Sequence, residues 1–136
     1  KQYVRHYLIW LALYIGAGIF LMAATATFPY AIVWLLGEQY AHLESEVVFV
    51  AAGAVLTMWG GFAVAVNNAR AWVKFQPRLL VVYVVSQMAL LFWLDPSSTH
   101  GIIMFGVWSA AIGLTMQLGM NIAGLRKPEL VEIQLG

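Results

Sequence analysis

The chain has 136 residues, of which 62% are hydrophobic and 10% are charged, and its formal net charge is +1. A soluble domain is about half apolar and about one quarter charged, so this composition excludes a soluble fold and indicates one membrane domain. The small net charge argues against nucleic-acid binding, and the absence of cysteine excludes disulfides, thiolate metal sites and a cysteine nucleophile.

The first apolar segment, residues 7–37, contains no charged residue. It is longer than the roughly 20 residues that cross a bilayer. Pro29 lies inside it, and a proline lacks the backbone N–H and kinks or ends a helix. We therefore predict a span over residues 7–27, a break near Pro29, and a helical extension to Leu36 at the outer membrane interface. A single tilted helix is the alternative.

Three further segments are apolar enough to cross a membrane, at residues 47–66, 79–94 and 101–125. The segment "DPSSTH" between the last two has the composition of a turn. Long uninterrupted apolar runs lack the alternation of a β-barrel, which is the only sheet structure that spans a membrane. We predict an all-α integral membrane protein, a four-transmembrane-helix bundle formed by a single domain over residues 1–136 with a short tail over residues 126–136.

The basic residues are distributed unevenly around the four predicted spans. Two precede the first span, none lies between spans one and two, three lie between spans two and three, none lies between spans three and four, and two follow the fourth. Cytoplasmic loops hold the excess of Lys and Arg. We therefore expect both termini and the segment "NNARAWVKFQPR", residues 67–78, at the cytoplasmic face of the inner membrane.

Small residues recur at four-residue spacing in the spans, and such faces let helices approach closely. The first span carries Ala12 and Gly16, and the fourth carries Ser109 four residues before a glycine. This spacing predicts helix packing, either within the bundle or against another chain. The candidate packing residues in spans two and four are Gly53, Thr57, Gly61, Gly106, Ala110 and Gly113.

Within the predicted spans there is no Asp, Glu, Lys, Arg or His. Buried charges usually mark proton relays and ion paths, so their absence argues against a proton-coupled pump or exporter and against intramembrane haem. No cofactor is expected. Polar span residues such as Gln87, Gln117 and Asn121 have two interpretations. They hydrogen-bond one helix to another, which we favour, or they line a groove for a lipid headgroup or a quinone.

A possible phosphate or headgroup site lies at the predicted cytoplasmic ends of spans two and four. Its candidates are Asn67, Asn68, Arg70, Asn121 and Arg126. The stretch "NNARAWVKF" resembles the Asn…Arg-x-Trp-Val-Phe segment that follows the second span of GtrA-like membrane proteins. Here Lys74 interrupts the Trp-Val-Phe run, and the Gly-rich, Asn-bearing opening of their first span is absent. The resemblance implies four spans, inner termini and translocation of a polyprenyl-phosphate-linked sugar.

Histidines and carboxylates are concentrated in the two predicted outer loops. Such side chains bind metal ions when they converge, so an outer metal site and a membrane metalloenzyme form one hypothesis. Solvated loop residues are the alternative, because the spacing matches no fixed ligand pattern. The candidate ligands are His42, Glu44, Glu46, Asp95 and His100.

The leading functional hypothesis is a non-enzymatic membrane protein that acts as a subunit or self-associating component of a membrane complex. The uncharged spans, the absence of a nucleophile–base pattern and the 14% of aromatic residues, which provide apolar contact surface, support it. Its expected partners are the lipid bilayer and either itself or other membrane subunits. The tail "RKPELVEIQLG", residues 126–136, is expected to dock on a cytoplasmic partner. The lipid-linked transporter or flippase and the metalloenzyme remain alternatives.

Overall fold

A computed structural model describes residues 2–70, 72 and 76–126 of the chain. These residues are helical apart from short connections and include no β-strand, which confirms the all-α prediction. The elements are α1 (Gln2–Thr27), α2 (Pro29–Leu36), a 3-10 helix (Glu38–Leu43), α3 (Val47–Ala69), α4 (Gln76–Trp93) and α5 (Thr99–Arg126). The third predicted span thus begins earlier than expected, at Gln76, and extends over 18 residues.

Four helices, α1, α3, α4 and α5, are long and apolar enough to cross a membrane. Their outward faces carry large apolar side chains such as Trp10, Phe20 and Phe92, which are more than half exposed. A water-soluble protein buries such residues, whereas lipid solvates them. The chain is therefore a small integral membrane protein with four membrane-spanning helices.

The first apolar segment breaks at Phe28, between α1 and α2. Pro29 occupies the first turn of α2, where its missing N–H is not needed. The N–H of Phe28 donates to Ala24 O at 2.9 Å and completes the last turn of α1. The break that Pro29 predicts is confirmed, and the alternative of a continuous helix is wrong. Helix α2 ends at Leu36 and is followed by Gly37, whose φ of 112° favours glycine.

The long helices lie in the spatial order α1, α3, α5, α4. Helix α3 packs most extensively against α5 and next against α1, while α4 packs against α5. Among the described residues, α1 and α4 share no extensive interface, so the bundle is open on that side. Helices α1 and α3 are antiparallel, because Tyr7 near the start of α1 stacks on Phe62 near the end of α3. Helices α3 and α5 are parallel, because Asn121 near the end of α5 donates to Ala63 O near the end of α3.

This arrangement separates charge along the bundle. One end, the basic end, carries Arg5, Arg70, Arg78 and Arg126. The opposite end, the acidic end, carries His42, Glu44, Glu46, Asp95 and His100. The charge separation expected from the sequence is therefore present in the fold.

Helices α1 and α3 approach closely beside Gly18. A Cβ atom at this position would lie 2.7 Å from both Trp59 and Val55, so only glycine fits without a shift. The Trp59 indole N–H donates to Tyr14 O at 2.8 Å, which fixes the ring against α1. The Phe62 ring adds an aromatic contact with Tyr14, at a centroid distance of 4.8 Å. The two helices are therefore joined by close packing at Gly18 and by the hydrogen bond from Trp59 to Tyr14 O.

Helix α4 has the smallest interface of the four spanning helices. Leu90 is the only buried residue along α4, which is described over its whole length. The Ser109 hydroxyl donates to Gln87 Oε1 at 2.7 Å across the α4–α5 interface. A Cβ atom at Gly113 would lie 3.6 Å from the Tyr83 ring, which is ordinary van der Waals contact. Among the described residues, one hydrogen bond and few apolar contacts thus attach α4 to α5.

The turn between α4 and α5 has the form that "DPSSTH" predicts. Asp95 Oδ1 accepts hydrogen bonds from the Ser97 hydroxyl at 2.6 Å and from the Ser97 N–H at 3.0 Å. These two bonds stabilise the carboxylate and lower the pKa of Asp95. Ser98 Oγ accepts from the Gly101 N–H at 3.0 Å and caps the start of α5.

Candidate functional site

Three amide side chains form a buried polar cluster near the basic end: Asn67 on α3, and Gln117 and Asn121 on α5. Asn67 is 1% exposed and Asn121 is fully buried. Asn67 Nδ2 donates to Gln117 Oε1 at 2.8 Å. Asn121 Nδ2 lies 3.0 Å from each of three acceptors, Asn67 Oδ1, Gln117 O and Ala63 O. The cluster therefore cross-links α3 and α5 with hydrogen bonds in both directions.

This geometry favours the interpretation that the span amides hold helices together. The amide N–H groups of Asn67 and Asn121 are used within the protein, so they are not directed at a ligand. Asn121 Oδ1, by contrast, is buried and has no hydrogen-bond partner among the described residues. This oxygen is an acceptor, which suits a hydroxyl or N–H group rather than a phosphate oxygen.

Trp72 contacts both α3 and α5 at the basic end. Its backbone N–H donates to Asn67 O at 2.9 Å. Its indole lies flat against α5 at Gly124, where a Cβ atom would collide with the ring. The Trp72 indole N–H is buried and finds no acceptor in the described part of the chain. The absence of a side chain at Gly124 thus lets the Trp72 ring approach α5 closely.

The remaining phosphate candidates lie at the same end of the bundle. Asn68, Arg70 and Arg126 are exposed, with Arg70 at the end of α3 and Arg126 at the end of α5. The structure thus brings all five candidates to the basic end and joins two of them, Asn67 and Asn121, in the buried cluster. A phosphate role for the set stays a prediction. Lys74 and most of the "AWVKF" stretch lie outside the described residues, as does the tail after Arg126.

The acidic end contains one contact between predicted metal ligands. The His100 ring lies 2.9 Å, measured from Nδ1, from a carboxylate oxygen of Glu46, and packs edge-on against Phe49. His42 and Glu44 line a separate open depression. No group of three or more His, Cys, Asp or Glu in the described residues is arranged to hold a metal ion. The metal hypothesis therefore gains no support here and stays a prediction.

A mostly apolar cavity of about 270 Å³ opens at the acidic end. Its walls come from α1, α2, the 3-10 helix, α3 and α5, and Glu46 is the only charged side chain among the described residues that line it. The lining residues include Leu21, Thr25, Ile32, Val47, Ala54 and Ile103. Sequence reasoning missed this cavity because five elements contribute to it and no local motif marks it. The aliphatic run that follows Glu46 in α3 is the one signal that the sequence contains.

The predicted packing residues divide into inward and outward positions. A Cβ atom at Gly53 would lie 3.6 Å from Val107, so this glycine faces α5, and Gly113 faces α4. At Gly61 and Gly106 a Cβ atom would meet nothing within 4 Å. Thr57 is exposed and donates its hydroxyl to Gly53 O, and Ala110 is half-buried. Gly18, which makes the tight contact with α3, was not among the predicted residues, whereas Gly16 is open.

Comparison with known proteins adds no family to these observations. No protein-family model, no curated protein and no solved structure matches the chain. The resemblance to GtrA-like proteins therefore remains confined to residues 67–75 and the number of spans. Functional proposals for this protein must rest on its helix arrangement, its buried polar cluster and its acidic-end cavity.

Proposed function

We propose that this protein is a non-enzymatic membrane subunit that assembles through α4, with a second copy of itself or with a larger membrane complex. The observation that supports it is the open row α1, α3, α5, α4, in which α5 is the only helix that α4 packs against extensively among the described residues. The outward face of α4 carries Val81, Val84, Val85 and Met88, each more than half exposed. This face offers a partner helix a continuous aliphatic surface.

Lipid also covers apolar side chains, so exposure by itself does not distinguish a lipid face from a protein interface. The outward glycines add a second argument. Gly61 and Gly106 are exposed on α3 and α5 and have open space where a side chain would be. Glycine gives little contact with lipid, whereas it lets a second helix approach the backbone closely. Both features suit a chain whose packing is completed by a partner.

Disulfide cross-linking tests this proposal, because the chain has no cysteine of its own. We expect Val85→Cys on α4 to give a cross-linked dimer, or a cross-link to a co-purifying subunit, in native membranes. Leu13→Cys on α1 is the matched control, since Leu13 is also exposed within a span. Native mass spectrometry in mild detergent should show one defined oligomer or complex. A monomer without partner, together with equal cross-linking at both positions, would contradict the assignment.

We propose a lipid-linked transporter as the second candidate, supported by the gathering of the predicted phosphate residues at the basic end. Arg70 and Arg126 are exposed there, beside the buried Asn67 and Asn121. Arginine binds phosphate oxygens in a bidentate manner. We expect a double variant, Arg70→Ala with Arg126→Ala, to lose retention of a polyprenyl phosphate in native mass spectrometry. Arg5→Ala at the same end is the control, and equal retention by all variants would reject this candidate.

We further propose that the basic end faces the cytoplasm of a bacterial-type inner membrane, with both termini inside. The uneven distribution of Lys and Arg among the loops supports this orientation. Single cysteines at Gln76 and Ser98 test it, because these residues lie at opposite ends of α4 and its following turn. A membrane-impermeant thiol reagent should label position 98 from outside intact cells and leave position 76 unlabelled. The opposite pattern would reverse the orientation.

A further inference from the structure

We infer that the acidic-end cavity binds one alkyl chain of a membrane lipid with an ammonium headgroup, and that the Glu46 carboxylate pairs with the ammonium. This inference goes beyond the assembly proposed above and does not depend on it. It rests on the cavity of about 270 Å³ that includes Glu46 in its wall. The described hydrogen bonds and helix contacts give the acidic-end cavity no other role.

The walls of the cavity change from polar to apolar along the axis of α3. Glu46 precedes the first residue of α3, and Val47, Val50 and Ala54 follow it on the lining face. Eight residues separate Glu46 from Ala54, which corresponds to about 12 Å along a helix. The carboxylate thus lies at the end of a membrane-spanning helix and the aliphatic walls extend toward its middle. A bilayer lipid has the same order of headgroup and chain, so it enters without inverting.

The volume of the cavity favours a single chain. A site for a whole drug-sized molecule typically has about 300–1,000 Å³, and this cavity lies just below that range at about 270 Å³. One alkyl chain can occupy it while the rest of the lipid stays in the bilayer. Thr25 has no free hydroxyl hydrogen to donate to a polar ligand, because its hydroxyl already donates to Leu21 O at 2.9 Å within α1. The cavity interior therefore selects for an apolar chain.

Glu46 selects the headgroup. Its side chain is 19% exposed, so the carboxylate is largely withdrawn from solvent while its rim remains accessible. His100 approaches it from Nδ1 at 2.9 Å, but a carboxylate accepts about four hydrogen bonds. Capacity therefore remains for an ammonium group, which donates three. An anionic headgroup without an ammonium group would instead place a second negative charge beside the Glu46 carboxylate, which repels it.

The test compares bound lipids in nanodiscs that contain equal amounts of phosphatidylethanolamine and phosphatidylglycerol. Native mass spectrometry of the full chain released from them reports the lipid that stays bound. We expect the ratio of bound phosphatidylethanolamine to phosphatidylglycerol to be about tenfold above the bulk ratio, as a hydrogen bond to a charged group allows. Glu46→Gln should return the ratio to the bulk value. Glu44→Gln, an exposed acid of the same end that does not line this cavity, should leave it unchanged.

Two further variants separate lipid binding from a merely structural role of the Glu46–His100 pair. His100→Ala removes the protein partner of Glu46, so we expect it to retain or raise the lipid ratio. Ala54→Leu places a larger side chain in the cavity and should remove the bound lipid. Ala89→Leu, at an exposed position of α4, is its matched control. Circular dichroism and gel filtration establish that each variant is folded.

Several outcomes would overturn the inference. Equal retention of both lipids by the unaltered protein would remove the headgroup preference, and equal losses in Glu46→Gln and His100→Ala would make the pair structural. Retention of lipid by Ala54→Leu would place the bound lipid elsewhere. A free alkyl amine carries the same ammonium group and alkyl chain as such a lipid, so it is the other candidate ligand. Binding of dodecylammonium without enrichment of phosphatidylethanolamine would reject the membrane-lipid assignment.

Discussion

Helix α5 has two neighbours, and its contacts with them differ although both use amide side chains. Toward α3 it presents Gln117 and Asn121, which exchange several hydrogen bonds with Asn67 and the α3 backbone. Toward α4 it presents Ser109, which makes one hydrogen bond with Gln87. Gln87 Nε2 is buried and has no acceptor among the described residues. Polar groups thus reinforce the α3–α5 interface and leave the α4–α5 interface incomplete.

This difference indicates that α1, α3 and α5 form the stable part of the bundle. In a membrane, apolar contacts between helices gain little, because lipid solvates the same side chains equally well. Interhelical hydrogen bonds and close packing must therefore hold helices together. The α1–α3 and α3–α5 interfaces have both, through Gly18 and the polar cluster. Helix α4 has little of either, so it is the element whose packing a partner can complete.

Removing the centre of the polar cluster should have the largest effect on stability. Asn121→Ala deletes three hydrogen bonds and leaves Asn67 Oδ1 without its donor. We expect a loss of about 2 kcal/mol in the free energy of unfolding, since a buried unsatisfied group adds to the lost bonds. Unfolding in mixed detergent micelles measures it.

Thr115→Ala is the control for this variant. Its hydroxyl is exposed and donates to Ala111 O within α5, so it makes no interhelical bond. A change below about 0.5 kcal/mol is expected there. Equal effects of the two substitutions would show that the cluster does not hold α3 to α5, and would end the contrast between the two interfaces.

A glycine pair in α1 should give an effect of comparable size. Gly18→Ala places a methyl group 2.7 Å from Trp59 and Val55, and the Trp59 ring is held by its bond to Tyr14 O. Such overpacking costs about 1–3 kcal/mol. Gly16→Ala meets nothing within 4 Å and should be neutral or stabilising by up to about 1 kcal/mol, because alanine favours helices. Thermal unfolding of both variants measures the difference, and destabilisation by Gly16→Ala would contradict this interface.

These two predictions also show what the sequence determines and what it leaves open. Length, hydropathy and Pro29 are local properties, and they predicted the four spans and the helix break. The spacing of small residues pointed to Ala12 and Gly16, yet Gly18 faces α3, because spacing gives a face of a helix but not its rotation against a neighbour. The cluster of Asn67 and Asn121 depends on residues 54 positions apart, which no local pattern relates. The same reason hid the acidic-end cavity.

A smaller effect on the fold is expected at the α4–α5 interface. Gln87→Leu removes the bond from Ser109 but also removes the Nε2 group that lacks an acceptor. The two changes have opposite effects on stability, so we expect the free energy of unfolding to change by less than about 0.5 kcal/mol. The fraction of oligomer in native mass spectrometry is the more informative readout. A loss of stability as large as that of Asn121→Ala would show that α4 belongs to the stable part of the bundle.

The smallest effect concerns the turn that joins α4 to α5, where Asp95 accepts two hydrogen bonds from Ser97. These bonds lower the pKa of Asp95 in the folded protein, below the value of about 3.9 for an unfolded chain. The ionised carboxylate therefore stabilises the fold fully above the unfolded pKa, and this contribution is lost as the pH falls through the folded pKa. Asp95→Asn keeps an acceptor but cannot ionise.

We accordingly expect the Tm difference between the unaltered protein and Asp95→Asn to be constant above about pH 5 and to shrink below about pH 4. All other ionisable side chains are the same in the two proteins, so their contributions cancel in this comparison. Differential scanning fluorimetry from pH 3 to pH 7 measures it. A Tm difference that grows as the pH falls would mean that ionised Asp95 destabilises the turn. In that case the weak attachment of α4 would extend to its connection with α5.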